Sequence, residues 1–129
     1  MENVKWMSKC FMALSTCSGL IYFLYPTTMV YPLFENSGLN SFVLEQLIKV
    51  DTPKNCLPSL HAGLTTIVVW GLIQIKRPIF SLFMILWGIA ICYSILQLKR
   101  HLFIDLASGF ALALIFGTLL KFIHKKNAE

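Results

Sequence analysis

The stretch Ile79–Leu98, IFSLFMILWGIAICYSILQL, contains no charged residue along its whole length. A transmembrane helix needs about 20 consecutive apolar residues, because the hydrocarbon core of a bilayer is about 30 Å thick. Apolar side chains surround this segment on every face instead of forming one stripe, which favours a helix in contact with lipid over a helix of a soluble bundle. The stretch therefore predicts an integral membrane protein.

Three further apolar segments extend this pattern, at about residues 6–25, 59–75 and 101–123. The segment at 59–75 is short and contains Thr65, Thr66 and Gln74, so it fits a membrane span least well. We expect a single all-α integral membrane domain over residues 1–129. Its four transmembrane helices are expected to form a bundle, with an outer loop over about residues 26–58.

Composition supports this class of protein. Of the 129 residues, 57% are hydrophobic and only 13% are charged, and the mean hydropathy is +0.70. These values exclude a disordered chain and do not suit an ordinary soluble domain. The four cysteines form no CxxC pair, so the spacing indicates neither a disulfide framework nor a zinc site.

The basic residues predict the orientation of the bundle. An even number of spans places both termini on one side, and that side carries seven positive charges: Lys5, Lys9, Lys76, Arg77, Lys121, Lys125 and Lys126. The opposite side has four, together with three acidic residues. Because basic residues concentrate in cytoplasmic segments, we expect a multi-pass protein of the inner (plasma) membrane with cytoplasmic termini. No basic and aromatic surface lies outside the spans, which argues against a nucleic-acid partner.

Two polar residues mark the start of the fourth segment. His101 and Asp105 are four residues apart and therefore lie on one face of a helix, within reach of each other. An Asp inside a membrane segment is costly unless it is paired, and an imidazole is its natural partner. The carboxylate would then bind one ring nitrogen and leave the other as a nucleophile or base. The alternative is a pair that only holds the end of the helix.

The same face continues through small residues, at Gly109, Ala113 and Gly117. A small residue at every fourth position lets another helix approach closely. We therefore expect the face that carries His101 and Asp105 to point into the bundle and not into lipid.

The start of the second segment is also polar. In CLPSLHAG (Cys56–Gly63), Pro58 and Ser59 suit a helix start, where Ser59 caps the helix and free backbone N–H groups favour an anion. His61 is then placed to meet that anion. Two histidines, a carboxylate and a hydroxyl suit phosphoryl transfer. His61, His101 and Asp105 could instead bind zinc, although no further strong ligand and no separate base is evident.

LPSLHAG, followed about forty residues later by SILQLKRHLFIDLASG, resembles the second and third motifs of the type 2 phosphatidic-acid phosphatase/haloperoxidase superfamily, which are P-S-x-H and S-R-x5-H-x3-D. The PSLH form, Asn55 before it, and the YPT at Tyr25–Thr27 are most similar to the inositol-phosphorylceramide-synthase-like branch. The resemblance covers about residues 22–123. Membrane members usually have six spans, and the four expected here resemble the last four.

The resemblance implies a role for each matching residue. His101 would be the nucleophile that becomes phosphohistidine, Asp105 would orient it, and His61 would be the general acid. Ser59 would bind the phosphate, and Ser94 matches the first residue of the third motif. The implied substrate is a lipid phosphate, with water as acceptor in a phosphatase and an alcohol as acceptor in a phosphotransferase. The resemblance implies no metal or other cofactor.

The chain departs from the superfamily where arginines are expected. The first motif, K-x6-R-P, has Leu24 at the lysine position and Tyr31 at the arginine position, and Ile95 occupies the arginine position of the third motif. A phosphoryl transition state needs fixed cations, so a missing one is expected to slow the reaction by orders of magnitude.

Lys54, Lys99 and Arg100 are the replacements on the outer side, and Lys99 lies only two residues before His101. We expect Lys99 and Arg100 to bind the phosphate of a membrane lipid-phosphate phosphatase or phosphotransferase at the outer face. The alternative is a catalytically inactive homologue that binds lipid or associates with other helices. The expected partners are the substrate and membrane lipids, and the four-span form leaves room for a homo-oligomer or a second membrane subunit.

Overall fold

A computed structural model of the chain describes residues 2–28, 46, 55–75, 77–97 and 102–126. Most of these residues belong to four α-helices, which are α1 (Glu2–Leu24), α2 (Leu60–Ile73), α3 (Pro78–Gln97) and α4 (Phe103–Lys126). These ranges contain no β-strand. The predicted all-α fold class is confirmed.

The helices differ in how far they can reach across a bilayer. In the described part of the chain, α1, α3 and α4 are long and apolar enough to span a membrane, whereas α2 is a shorter apolar helix. With 14 residues, α2 is about 21 Å long, against a hydrocarbon core of about 30 Å. The prediction of a helix near residues 59–75 is right, but the prediction of four full spans is not confirmed.

The short helix lies at the centre of the bundle. α2 packs against α1, α3 and α4, and α1 also packs against α4, whereas α3 packs chiefly against α2. The Leu14 side chain lies against Gly63 and the Met7 side chain against Gly71, so α1 and α2 run antiparallel. Trp6 donates its indole N–H to the carbonyl of Gly117, at 3.0 Å. The start of α1 therefore lies beside the last turns of α4.

Regular spacing explains which faces are buried. On α1 the buried residues recur at every fourth position: Trp6, Cys10, Leu14 and Ser18. On α4 four buried residues do the same, Asp105, Gly109, Ala113 and Gly117, and Leu106 beside Asp105 is also buried. A spacing of four keeps residues on one helix face, and the small residues on α4 let α1 and α2 approach closely. The prediction that this face of α4 points into the bundle is confirmed.

The outer faces carry large apolar side chains. On α3 only Gly88 is buried, whereas Leu86 and Trp87 are exposed and Ile79 is 86% exposed. A soluble monomer rarely exposes so much continuous apolar surface, while a bilayer solvates it. The arrangement is that of a membrane protein.

The bundle has two unlike ends. We call one the tryptophan end; it comprises Trp6, Trp70, Gln74, Gly117 and Lys121. The rings of Trp6 and Trp70 meet edge to face with centroids 5.3 Å apart, and the Lys121 ammonium lies 5.9 Å and 5.7 Å from the two ring centroids. Lys121 also donates to the side-chain oxygen of Gln74 at 3.2 Å. Tryptophan and lysine together are typical of a membrane–water interface.

Candidate functional site

The opposite end, which we call the motif end, brings the two sequence motifs together. The backbone N–H of Ser59 donates to the carbonyl of Asp105 at 2.9 Å. The Ser59 and Asp105 side chains are 0% and 3% exposed. One turn along α4, a Cβ added at Gly109 would overlap the Ser59 carbonyl oxygen. The helix starts of α2 and α4 therefore touch, backbone to backbone.

Ser59 caps α2, as its sequence context predicts. It has an extended backbone conformation, and its hydroxyl accepts from the N–H of Ala62 in a long bond of 3.4 Å. His61 lies in the first turn of α2 with an exposed side chain. A buried hydroxyl and an accessible imidazole thus share one helix N-terminus, where the partial positive charge of the helix favours an anion.

Asp105 has a structural role that sequence reasoning missed. Its Oδ2 accepts from the backbone N–H of Leu102 at 2.8 Å, which is half of the capping box that begins α4. The signal for this role is an acidic residue three positions after the residue that caps the helix. A carboxylate offers about four acceptor positions, so a carboxylate that accepts this bond can accept others as well.

Thr27 fixes the loop that precedes Ser59. Its hydroxyl oxygen accepts from the N–H groups of Cys56, at 3.0 Å, and Leu57, at 2.9 Å. Its carbonyl accepts from the N–H of Asn55 at 2.7 Å. The YPT stretch after α1 thus binds three successive backbone donors of the NCLPSLH segment, a positioning role that its sequence alone does not reveal.

Tyr22, near the end of α1, also holds this loop. Its hydroxyl donates to the carbonyl of Pro58, which follows a cis peptide bond from Leu57. Asn55 has a positive φ of 64°, a conformation that asparagine tolerates better than most residues other than glycine. The end of α1 therefore positions the residue immediately before Ser59.

Several predicted site residues lie outside the described residues: His101, Lys99, Arg100, Lys54 and Tyr31. The pairing of His101 with Asp105 and the joint action of His61 and His101 on one phosphate therefore stay predictions.

Ser94 lies on α3 with an exposed side chain, and Ile95 beside it is partly buried. In the ranges the structure covers, the hydrogen-bonded group that joins Ser59 to Asp105 does not extend to Ser94.

A metal centre would need residues beyond those described. Among residues 2–28, 46, 55–75, 77–97 and 102–126, no three His, Cys, Asp or Glu side chains come close enough together to hold a metal ion. The zinc alternative depends on His101, which is not among them. From the two motifs, the described groups at the motif end include the Ser59 hydroxyl, the Asp105 carboxylate, the His61 imidazole and the N-terminus of α2.

Comparison with known proteins identifies the family of the chain. A family model of the PAP2 superfamily matches residues 1–119, a range that contains both motifs, α1–α3 and most of α4. No curated protein and no solved structure matches the chain. The family match supports a phosphatase-type function on lipid phosphates in general. Because the match extends over far more than half of its length, the chain belongs to the PAP2 superfamily, the same superfamily that its two motifs resemble.

Proposed function

We propose that the chain is a membrane lipid-phosphate phosphatase or phosphotransferase that works through a phosphohistidine intermediate at the outer membrane face. The observation that carries the proposal is the bond between the Ser59 N–H and the Asp105 carbonyl. It holds the start of the PSLH motif against the end of the HLFID motif in a member of the PAP2 superfamily. Residues that act on one phosphate must be close in this way.

In the first step, a ring nitrogen of His101 attacks the phosphorus of the lipid phosphate. The bond from phosphorus to the lipid oxygen breaks, and His61 donates a proton to that oxygen. Asp105 accepts a hydrogen bond from the other ring nitrogen of His101, which fixes the orientation of the imidazole and stabilises its positive charge.

In the second step, water or an alcohol attacks phosphohistidine while His61 takes the proton of the attacking oxygen. The bond from phosphorus to nitrogen breaks, which restores His101. Water gives inorganic phosphate, and an alcohol gives a new phosphate ester. The similarity of PSLH, Asn55 and YPT to the inositol-phosphorylceramide-synthase-like branch favours an alcohol as acceptor.

The phosphoryl oxygens need donors and positive charge throughout. Ser59 at the start of α2 and Ser94 supply hydroxyl donors in this scheme, and Lys99 and Arg100 supply charge. Lysine is a point charge on a flexible stem and replaces the planar arginine fork only in part. We therefore expect turnover below that of a site with both arginines.

The proposed orientation follows from charge. Lys5, Lys9, Lys121 and Lys126 are exposed on the parts of α1 and α4 nearest the tryptophan end. Basic residues favour the cytoplasmic side, so the motif end faces outward. A reporter fused after Glu129 should be cytoplasmic, and a tag within residues 34–54 should be accessible from outside intact cells.

The test of the proposal is phosphate release from a panel of lipid phosphates by the protein purified in detergent. His101→Ala should abolish turnover and the trapping of a phosphoryl group on the protein, because it removes the nucleophile. The matched control is His124→Ala, near the C-terminal end of α4, which should retain both. Equal activity of the two variants would contradict the mechanism.

The role of the cation has its own test. Lys99→Ala should lower turnover about 10²-fold, the effect of losing one transition-state stabiliser, whereas Lys9→Ala at the opposite end should not. Ile95→Arg should raise turnover if the third-motif position faces the phosphate.

The second candidate function is an inactive homologue that binds lipid or associates with other helices. The observation that favours it is the non-basic residue at both arginine positions, Tyr31 and Ile95. Absence of turnover in both the unmodified protein and Ile95→Arg would support this alternative and reject the enzyme.

A further inference from the structure

An apolar groove separates α3 from α4 and has α2 as its floor. Its volume is about 510 Å³, and it is lined by Thr65, Val69, Trp70, Ile89, Cys92 and Leu114 among others. This size lies within the range of roughly 300–1,000 Å³ found for pockets that hold small ligands. The groove is separate from the hydrogen-bonded group of Ser59 and Asp105.

The groove is continuous with the lipid-facing surface. α3 packs chiefly against α2, so a gap remains between α3 and α4. The residues at its edges, including Ile89, Tyr93, Phe110 and Leu114, belong to the exposed apolar surface that contacts the bilayer. The hydrocarbon chain of a lipid can therefore enter the groove directly from the bilayer.

One end of the groove lies at the motif end. Phe103 and Leu106 line it, on either side of Asp105 in the sequence. From Phe103 to Leu114 the groove follows twelve residues of α4, whose eleven steps correspond to about 16 Å along the helix axis. A chain lying in it would bring its polar head to the level of Asp105 and the start of α2.

We infer that this groove holds one hydrocarbon chain of the lipid phosphate substrate, with the phosphate ester at the motif end. The inference rests on the proposed function, which supplies the reaction at that end. A chain that moves from the bilayer into the groove exchanges one apolar environment for another, so little hydrophobic free energy is gained. The groove acts by orientation, since it fixes where the phosphate lies relative to the reacting groups.

Two neighbouring residues of α3 offer a matched pair of substitutions. Ile89 lines the groove and is 60% exposed, whereas Leu86 is 57% exposed and is not part of the lining. Ile89→Trp puts a large ring into the groove, and Leu86→Trp puts the same ring into lipid. Neither residue is buried, so both variants should fold, which size-exclusion chromatography in detergent would check.

Binding is tested with a phosphatidic acid that carries a photoactivatable diazirine in one acyl chain, added to the full-length protein in lipid nanodiscs. After illumination, labelled peptides should come from the groove residues Val69, Cys92 and Leu114. Ile89→Trp should lower this labelling about tenfold, the scale of a steric change in an apolar pocket, and Leu86→Trp should leave it unchanged.

Two results would overturn the inference. One is labelling of exposed apolar residues far from the groove, such as Phe23 and Phe122, to the same extent as the groove residues. That result would mean general contact with lipid. The other is a dimer cross-linked through Cys92 that excludes the probe, which would mean that a second copy of the chain covers the groove.

An activity measurement separates failure of the inference from failure of the proposed function. Ile89→Trp should lower turnover of long-chain phosphatidic acid more than turnover of a short, water-soluble phosphate monoester. An equal effect on both substrates would reject the groove as a chain site. If the unmodified protein is labelled in the groove but releases no phosphate, the proposed enzyme activity would be rejected, while the groove would still be supported as a site for a lipid chain.

Discussion

The two ends of the bundle are held together by different interactions. At the motif end, α2 and α4 meet through the bond from the Ser59 N–H to the Asp105 carbonyl, and the polar side chains of Ser59 and Asp105 are buried. At the tryptophan end, the contacts are two indole rings and the Lys121 side chain. The contact between α2 and α4 is thus backbone to backbone at the motif end, whereas side chains make the contacts at the tryptophan end.

This difference has a physical consequence. A backbone contact cannot adjust unless a helix moves, whereas a side chain can shift by about 30° from its preferred rotamer at a cost of about 1 kcal/mol. A disturbance at the motif end should therefore displace the reacting groups. A disturbance of the same size at the tryptophan end should lower stability and leave the geometry of the motif end intact.

Among the substitutions that test the difference between the two ends, the largest effect is expected at Gly109. Gly109→Ala would place a Cβ into the Ser59 carbonyl group and force α2 and α4 apart. Because a displacement of about 1 Å in a catalytic site can cost about 10²-fold in rate, turnover should fall by about that factor. Phosphate release and thermal unfolding in detergent would measure the change.

Two other glycines serve as controls for Gly109. Gly19→Ala adds a methyl group where nothing lies within 4 Å, so activity should be unchanged. Gly117→Ala would meet the Trp70 ring, a side chain that can rotate away, so stability should fall more than turnover. An equal loss of turnover in all three variants would remove the distinction between the two ends.

A smaller effect is expected at Thr27. Thr27→Val keeps the shape but removes the acceptor of the Cys56 and Leu57 N–H groups. Leaving partly buried donors unpaired costs about 1–3 kcal/mol, and turnover should fall about tenfold as the loop before Ser59 loosens.

The matched control for Thr27 is Thr118→Val. The Thr118 hydroxyl is exposed and bonds only to its own helix, at the carbonyls of Leu114 and Ile115. A fall in turnover in Thr118→Val as large as in Thr27→Val would show that the loop contact is not the cause.

The smallest effect on activity is expected at the tryptophan end. Trp6→Phe removes the bond to the Gly117 carbonyl and part of the ring contact with Trp70. Stability should fall by about 1–2 kcal/mol, with turnover unchanged at temperatures where the protein stays folded. A loss of turnover without a loss of stability would mean that the two ends are coupled through α2.

Much of the fold could be predicted from the sequence because it depends on local patterns. The predicted segments 79–98 and 101–123 differ from α3 and α4 by three residues or fewer at each end, and the small-residue spacing on α4 predicts its buried face. The length of α2 was harder to predict, because apolar residues continue past its end. The chain turns at Gln74 and Ile75, although Ile75 still reads as part of an apolar segment.

The contacts that hold the candidate site are less accessible to sequence reasoning. Thr27 and Cys56 are separated by 29 residues, and Trp6 and Gly117 by 111, so no local pattern links them. The capping of α2 by Ser59 was predictable because the bond joins residues three positions apart. The capping role of Asp105 is equally local, since its carboxylate binds the N–H of Leu102 three positions before it.

Under the proposed function, the short central helix would link membrane thickness to the reaction. Gln74, at the end of α2, bonds to Lys121 beside two tryptophans, which places this end near one membrane surface. The 14 residues of α2 rise about 21 Å from there and stop roughly 9 Å below the far side of a hydrocarbon core of about 30 Å. Either the bilayer thins around the bundle or the lipid head group descends into it. Hydrophobic mismatch of this kind is sensitive to the lengths of the surrounding acyl chains, so the host bilayer would itself regulate turnover.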